Sequence, residues 1–118
     1  MARPIIIFIT APKGKSSQKI ARHLLKKKLA ACVNIISGVS SLFWWEGKID
    51  SAKEDLLVVK SCADRFKELI SAVRQVHEYQ VPEIIAFPIM SGNKAYLDWL
   101  KDTVSRCQTD RRTRRKSG

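Results

Sequence analysis

This 118-residue chain has two histidines and three cysteines, and three of these five residues are the candidate ligands of copper or zinc. They are His77, Cys32 and Cys62, because a neutral imidazole and a thiolate are natural ligands of these metals. Their spacing matches no metal-binding motif, since the chain has no CxxC pair and no histidine-rich segment. A single histidine at the end of a helix more often binds helix carbonyls or bridges an interface, so both a metal-binding and a structural role stay open for His77.

A second candidate site is built around Glu83, a carboxylate at the start of an apolar segment. A buried carboxylate needs a partner, and Lys60 can supply one. Together with Trp45, Glu54 and Tyr79, these residues offer a cation, carboxylates and stacking surfaces to a small polar ligand in a cleft between subunits. The same residues also suit an interface hydrogen-bond network without a ligand, and both interpretations stay open.

Motifs of the common catalytic machineries are absent from the sequence. It has no GxSxG nucleophile elbow, no HExxH metal motif and no P-loop. We therefore predict a binding protein and not an enzyme.

Length and composition indicate the class of protein in which these side chains are positioned. A chain of 118 residues with 45% apolar and 28% charged residues is typical of one soluble globular domain. The longest apolar run, Pro4 to Ile9, is far shorter than the roughly 20 residues of a membrane span. No secretory signal is recognisable, so we predict a cytoplasmic protein with no membrane segment.

The charge of the chain is strongly positive, with 22 basic against 11 acidic residues and a formal net charge of +11. Residues 108–118 contain no apolar side chain and read as a basic, disordered tail after a domain over residues 1–107. A basic stripe of Lys19, Arg22, Lys26 and Lys27 on the first predicted helix could, with this tail, bind nucleic acid. We keep nucleic-acid binding as the alternative function, although such a stripe is usually only a solvated face.

Apolar periodicity predicts four strands and three helices. The strands are expected over Pro4–Thr10, Ala31–Trp45, Ile49–Lys60 and Ile84–Met90. The first helix is expected to be capped by Ser16 or Ser17, the second to end near His77 and the third to be capped by Asn93. The order βαββαβ plus a C-terminal helix predicts an α+β, ferredoxin-like fold with a four-stranded antiparallel sheet and two helices on one face.

The hairpin formed by the second and third strands is unusually long. Fifteen residues at about 3.3 Å each would reach about 50 Å, apart from a bend at Ser37-Gly38. Adjacent strand residues point to opposite faces, so Trp44 and Trp45 cannot both enter one core. We therefore predict a symmetric homo-oligomer in which hairpins extend the sheets of neighbouring subunits. The alternative is a curled hairpin whose aromatic side chains cover the open face of a monomer.

Several motifs resemble one known family, the CutA divalent-ion-tolerance proteins. The resemblance extends from about Ile5 to Val104 and is carried by motifs in a fixed order. They are Thr10-Ala11-Pro12, Lys28-Leu29-Ala30-Ala31-Cys32-Val33-Asn34, Phe43-Trp44-Trp45-Glu46-Gly47-Lys48-Ile49, Glu54 before Leu56-Leu57-Val58-Val59-Lys60, His77-Glu78-Tyr79, Pro82-Glu83-Ile84-Ile85 and Tyr96-Leu97-Asp98-Trp99.

This resemblance implies a ferredoxin-like subunit that assembles into a homotrimer through long hairpins. It also implies a role in tolerance of copper or another divalent cation, without an accepted reaction, and a likeness to the PII signalling proteins, which bind small ligands between subunits. Copper-associated bacterial members can carry a cysteine in the first strand and a second histidine, where this sequence has Ile9 and Val76. His77 is then the one metal ligand that the resemblance suggests here.

Overall fold

The computed structural model describes residues 2–105, and its elements follow the predicted order. Strand β1 leads through helix α1 into the two strands of the hairpin, β2 and β3, and helix α2 then leads to strand β4 and helix α3. Their bounds are β1 Pro4–Pro12, α1 Lys15–Lys26, β2 Cys32–Trp45, β3 Lys48–Cys62, α2 Phe66–Val76, β4 Ile84–Pro88 and α3 Lys94–Val104. The α+β, ferredoxin-like order is confirmed. The predicted tail over residues 108–118 lies outside the described residues.

The four strands form one antiparallel sheet in the order β2-β3-β1-β4. β1 lies inside the sheet, where it pairs with both β3 and β4. Its odd-numbered side chains, Ile5, Ile7 and Ile9, are buried on one face. β4 is an edge strand and ends at Pro88, earlier than the predicted Met90, because its partner β1 begins at Pro4, opposite Ile89, whose N–H makes the last hydrogen bond to the Pro4 carbonyl at 3.1 Å.

The main core lies between the sheet and the helices α1 and α2. It contains the fully buried side chains Ile7, Ile9, Ile20, Leu24, Leu57, Val59, Leu69 and Val73. On the opposite face, α3 covers one end of the sheet and buries Cys62 against Leu100 and Val104. The rest of that face keeps apolar side chains at the surface, among them Ile36, Ile85 and Phe87.

The start of α1 differs from the prediction that Ser16 or Ser17 caps it. The N-cap residue is Gly14, and no side chain of the helix itself caps the first turn. Asp55 on β3 takes this role, because its Oδ2 accepts hydrogen bonds from the Gly14 backbone N at 3.0 Å and from the Ser17 Oγ at 2.6 Å. Sequence periodicity missed this contact because the two partners lie 41 residues apart in the chain.

Asp55 is a carboxylate with only 2% of its surface exposed. The hydrogen bond from Ser17 is the main cause that lowers its pKa, helped by the Gly14 N–H and the charge of Lys13, while burial opposes the shift. A negative charge at a helix N-terminus is also favourable for the helix dipole. Asp55 therefore joins β3 to α1 as an ionised group.

The hairpin extends well beyond the sheet. Since β1 pairs with β3 only from Glu54 onward, residues 39–53 form a two-stranded ribbon with no further strand beside it. This segment, the ribbon, makes the molecule 50 Å long against 27 and 26 Å in the other directions. The radius of gyration is 15.3 Å, against about 13 Å for a compact chain of this length.

Local backbone geometry explains the course of the ribbon. The predicted bend is confirmed, because the strand register shifts between Ile36 and Val39 and Gly38 has a φ of 78°. At the tip, Glu46 and Gly47 both have positive φ, as in a tight two-residue hairpin turn. Trp44 is 72% exposed and Trp45 49% exposed. The ribbon is therefore not curled over the sheet.

Candidate functional site

A groove of about 870 Å³ separates the ribbon from residues 79–83, which follow α2. Four predicted site residues line it, namely Trp45, Glu54, Tyr79 and Glu83. The pairing of the hairpin explains why the ribbon residues share one side, since Phe43 faces Asp50 and Val39 faces Glu54. Side chains alternate along a strand, so Phe43, Trp45, Asp50 and Glu54 project from the same face.

Tyr79 and Glu54 form the central contact of the groove. The Tyr79 hydroxyl donates a hydrogen bond to Glu54 Oε2 at 2.9 Å, and Glu54 is only 6% exposed. Burial of the phenol, together with the hydrogen bond to Glu54 and the charges of Glu54 and Glu78, raises the pKa of Tyr79 to about 12. The phenol therefore stays protonated at neutral pH and acts as a donor.

His77 stands behind this contact and orients it. Its Nε2 is 2.8 Å from the Thr10 carbonyl oxygen, and its Nδ1 is 3.0 Å from the Tyr79 backbone N. Because the carbonyl needs a donor and the backbone N–H needs an acceptor, these contacts fit the tautomer that carries its proton on Nε2. Both ring nitrogens are thus engaged, and a metal ion could bind His77 only by displacing one of these hydrogen bonds.

Within one chain, Glu83 and Lys60 have other partners than each other. Glu83 Oε1 accepts a hydrogen bond from the Thr10 hydroxyl at 3.4 Å, whereas Lys60 donates to Asn34 Oδ1. Lys60 pairs with Ile6 in the sheet, six residues along β3 from Glu54. At about 3.3 Å per residue this puts Lys60 about 20 Å from the groove. Among the residues grouped with Glu83, Lys60 is therefore the one that lies away from the groove of its own chain, and its place in a cleft between subunits stays a prediction.

The two described cysteines are also separated from His77. Cys62 is fully buried under α3, and its burial, with the charge of Asp64, raises the pKa of the thiol to about 11. Cys32 lies opposite Lys60 on the half-exposed edge strand β2. Within residues 2–105, no cluster of three His, Cys, Asp or Glu side chains is placed to hold a metal ion.

Sequence reasoning missed two contributors to the groove. Asp50 adds a third carboxylate, and Thr10 supplies hydrogen bonds through both its hydroxyl and its carbonyl. Asp50 and Glu54 lie four residues apart on one strand and therefore point to the same face. This spacing shows that Asp50 belongs to the groove only once the hairpin register is known. Thr10 was recognisable only as part of a family motif.

Taken together, the groove is acidic in a strongly basic chain. Its lining has three carboxylates, from Asp50, Glu54 and Glu83, and several hydroxyl groups, and no lysine or arginine is among the described residues that form it. The whole chain carries +11. Such a surface, on an α+β ferredoxin-like subunit, is suited to binding a cation or a ligand rich in hydrogen-bond donors.

Comparison with known proteins places this chain in a family. The family model described as CutA1 divalent ion tolerance protein matches residues 5–103. The chain therefore belongs to the CutA1 family. The divalent-cation tolerance protein CutA of Archaeoglobus fulgidus is 48% identical over 98 residues, which cover 83% of this chain and 95% of that protein.

Plant relatives show the same similarity over a shorter part of their length. The rice protein named CutA 1, chloroplastic, is 42% identical over 100 residues, or 85% of this chain. The matched region spans only 56% of that rice protein. The crystal structure of CutA1 from Oryza sativa superposes with a TM-score of 0.86 at 40% identity and covers 88% of this chain and 95% of that one.

The described residues contain no helix that is both long enough and apolar enough to span a membrane. The rice relative is named as chloroplastic. The cytoplasmic location of this chain stays a prediction.

Proposed function

We propose that this protein acts, without catalysing a reaction, in divalent-cation tolerance, as a homotrimer that binds cations in the acidic groove. The observation that carries the proposal is the negative charge of the groove: three carboxylates and, among the described residues, no lysine or arginine line it, although the three carboxylates do not form one metal-binding cluster within a single chain. In a chain of charge +11, this groove is a local region that attracts cations. The relative from Archaeoglobus fulgidus is named for tolerance of divalent cations, which agrees with this interpretation.

The donor atoms of the groove suggest which cations it favours. Carboxylate, hydroxyl and carbonyl oxygens suit Mg²⁺, Mn²⁺ and Ca²⁺, whereas thiolate and imidazole suit copper and zinc. A cation in one chain would keep part of its water shell, as Mg²⁺ usually does, or take a further ligand from a neighbouring subunit. Copper, which the family resemblance suggests, would have to use His77 after breaking one of its hydrogen bonds.

The ribbon supports the homotrimeric part of the proposal. Its face opposite the groove carries three apolar side chains, Leu42, Trp44 and Ile49, which are 75%, 72% and 64% exposed. Trp44 and Ile49 are cross-strand partners, so they form one continuous patch. Burying about 150 Å² of Trp44 alone would stabilise an assembly by about 4 kcal/mol at 25 cal/mol per Å². A second and a third copy of the chain are the partners we propose for this patch.

Calorimetric titration tests the groove directly. Mn²⁺ and Mg²⁺ are titrated into the wild type, Glu54→Gln, Glu83→Gln and, as a control away from the groove, Glu68→Gln. We expect each groove variant to weaken binding tenfold or more, equivalent to about 1.4 kcal/mol, because glutamine keeps the shape of the side chain and removes its charge. Equal affinities in all four proteins would contradict cation binding in the groove.

Copper requires its own titration because its preferred ligands differ. Cu²⁺ is titrated into the wild type and His77→Ala, with His23→Ala as the control for the second histidine. A loss of affinity confined to His77→Ala would support a copper site at His77. Identical isotherms would exclude His77 as a principal ligand, and the groove would then stand as a site for harder cations or for a small polar ligand.

A further inference from the structure

The first 45 residues of the chain carry positive charge that no acidic residue among them balances. They contain eight lysine or arginine residues and no aspartate or glutamate, since the first acidic residue of the chain is Glu46. Seven of the eight lie between residues 13 and 28, in and around α1. All seven are exposed.

Four of these side chains form a straight row on α1, which we call the α1 stripe. It consists of Lys15, Lys19, Arg22 and Lys26. At 3.6 residues per turn, these positions fall within about 60° of the helix circumference and span about 16 Å along its axis. The stripe is therefore a rigid line of four positive charges on the outer face of the helix.

No described acidic group pairs with the stripe, since Asp55 at the N-terminus of α1 contacts Gly14 and Ser17 and its charge interacts with Lys13. In the part of the chain that the structure describes, none of its four residues takes part in an ion pair. The acidic residue in the first turn of the neighbouring helix α2, Glu68, is already paired with Arg65 at 3.1 Å. Like charges at i, i+4, such as Lys15 with Lys19, destabilise a helix, and positive charge in its first turn opposes the dipole. An arrangement that lowers helix stability without an internal partner suggests a partner outside the chain.

From these features we infer that the α1 stripe binds the phosphate backbone of a nucleic-acid duplex, without reading its sequence. A regular line of cations is complementary to a regular line of phosphates. The stripe has no aromatic side chain on which bases could stack, which favours a duplex over a single strand. The apolar face of α1, with Ile20 and Leu24, is buried in the core, so the helix cannot insert into a membrane surface.

The location of the stripe leaves it free for such a partner. It lies on the helical face of the sheet, whereas the exposed side chains Ile36, Ile85 and Phe87 lie on the other face. Duplex binding and the cation-binding groove thus use different residues. The two proposals can fail independently.

Salt dependence gives the inference its quantitative test. Full-length protein is titrated into a fluorescent 30-base-pair DNA duplex of arbitrary sequence at several salt concentrations, and anisotropy is recorded. Four phosphate contacts predict a slope of log K against log salt of about −3.6 for each bound stripe, or about a 150-fold loss of affinity between 50 and 200 mM salt. A single strand of the same length should bind more weakly.

Variants separate the stripe from other basic residues. One variant replaces all four stripe residues with glutamine, and a control replaces Arg3, Lys48, Lys53 and Lys94, which gives the same change in net charge. A third replaces the five basic residues of the tail, Arg111, Arg112, Arg114, Arg115 and Lys116. We expect the slope of log K against log salt to become less negative by about 3.6 in the stripe variant. The control should keep the wild-type slope. Far-ultraviolet circular dichroism and thermal unfolding check that every variant is folded.

Several results would overturn the inference. One is that the stripe variant binds the duplex as tightly as the wild type while the tail variant no longer binds it. That result would assign binding to the tail. Others are an equal loss in the control variant, the absence of duplex binding at low salt, or tighter binding to vesicles containing phosphatidylserine than to the duplex.

Discussion

Asp55 holds the start of α1 from the neighbouring strand, and Asp55→Asn measures what this contact contributes. Asparagine has nearly the same shape, so the substitution removes the charge without creating a cavity. The two hydrogen bonds to Oδ2, from Gly14 N at 3.0 Å and from Ser17 Oγ at 2.6 Å, become bonds to a neutral acceptor. The side-chain NH₂ would occupy the position of Oδ1, which is a buried atom.

The expected loss of stability follows from these contacts. A hydrogen bond to a charged group contributes about 1.5 to 3 kcal/mol and a neutral one about 0.5 to 1.5 kcal/mol, so each of the two bonds loses about 1 kcal/mol. The lost interaction with the helix dipole adds about 0.3 to 1 kcal/mol. Relief from burying a charge offsets part of this sum. We expect Asp55→Asn to lower the free energy of unfolding by about 2 kcal/mol for each chain.

The effect of pH has a defined direction. The pKa of Asp55 in the folded protein lies below its ordinary value of 3.8. A carboxyl group with a lowered pKa stabilises the fold fully above that ordinary value and loses its contribution as the pH falls through the folded-state pKa. The difference in the free energy of unfolding between wild type and Asp55→Asn should therefore stay at about 2 kcal/mol between about pH 5 and pH 7. It should shrink below about pH 3.8.

Guanidinium unfolding at one fixed protein concentration measures this difference. Glu78→Gln, at an exposed carboxylate, is the control and should change stability by less than about 0.5 kcal/mol. Ser17→Ala, alone and combined with Asp55→Asn, gives the coupling between the two hydrogen-bonding partners. The reasoning would be refuted if Asp55→Asn unfolded at the same guanidinium concentration as the wild type at pH 7.

Three other substitutions test the groove, the turn and the core. Tyr79→Phe should lower the free energy of unfolding by about 1 kcal/mol through loss of the hydrogen bond to Glu54. In an ultraviolet titration, the variant should lack the phenol that ionises near pH 12. An unchanged titration curve would contradict the assignment of that phenol to Tyr79. Glu46→Asn should raise stability by a few tenths of a kcal/mol in thermal unfolding, because asparagine tolerates the positive φ of 50° better than glutamate does; a lower melting temperature would oppose this account of the turn. Leu57→Ala should lower stability by about 2 to 5 kcal/mol in guanidinium unfolding, since Leu57 is fully buried; a loss below 1 kcal/mol would show that the core relaxes around it.

Most of the fold was predictable because its signals are local. The β-branched run of β1, the helical spacing of Ile20 and Leu24 and the apolar run at the end of β3 each depend on near neighbours. The bend at Gly38 was also predictable, because glycine readily adopts a φ of 78°. The cap of α1 was not, since Asp55 reaches it only after β3 has paired with β1.

The candidate site was predictable in part for the same reason. Trp45, Glu54, Tyr79 and Glu83 were recognised as a group, and the fold does bring them to one groove. Lys60 was included because its charge suits Glu83, yet charge complementarity carries no information about strand register, which places Lys60 beside Cys32 and Ile6. The hydrogen bonds of His77 involve backbone atoms of Thr10 and Tyr79, which side-chain types cannot reveal.

The mass of the protein in solution tests the central claim most directly, since the ribbon and its exposed apolar patch are interpreted as an assembly surface. Light scattering coupled to size-exclusion chromatography, over a range of protein concentrations, should give about 40 kDa for three chains of 13.4 kDa. The same measurement on Trp44→Ser, with the exposed Met90→Ser as a control, should show dissociation only in the Trp44 variant. A folded wild-type species of 13.4 kDa at all concentrations would contradict the trimer and any site that depends on it.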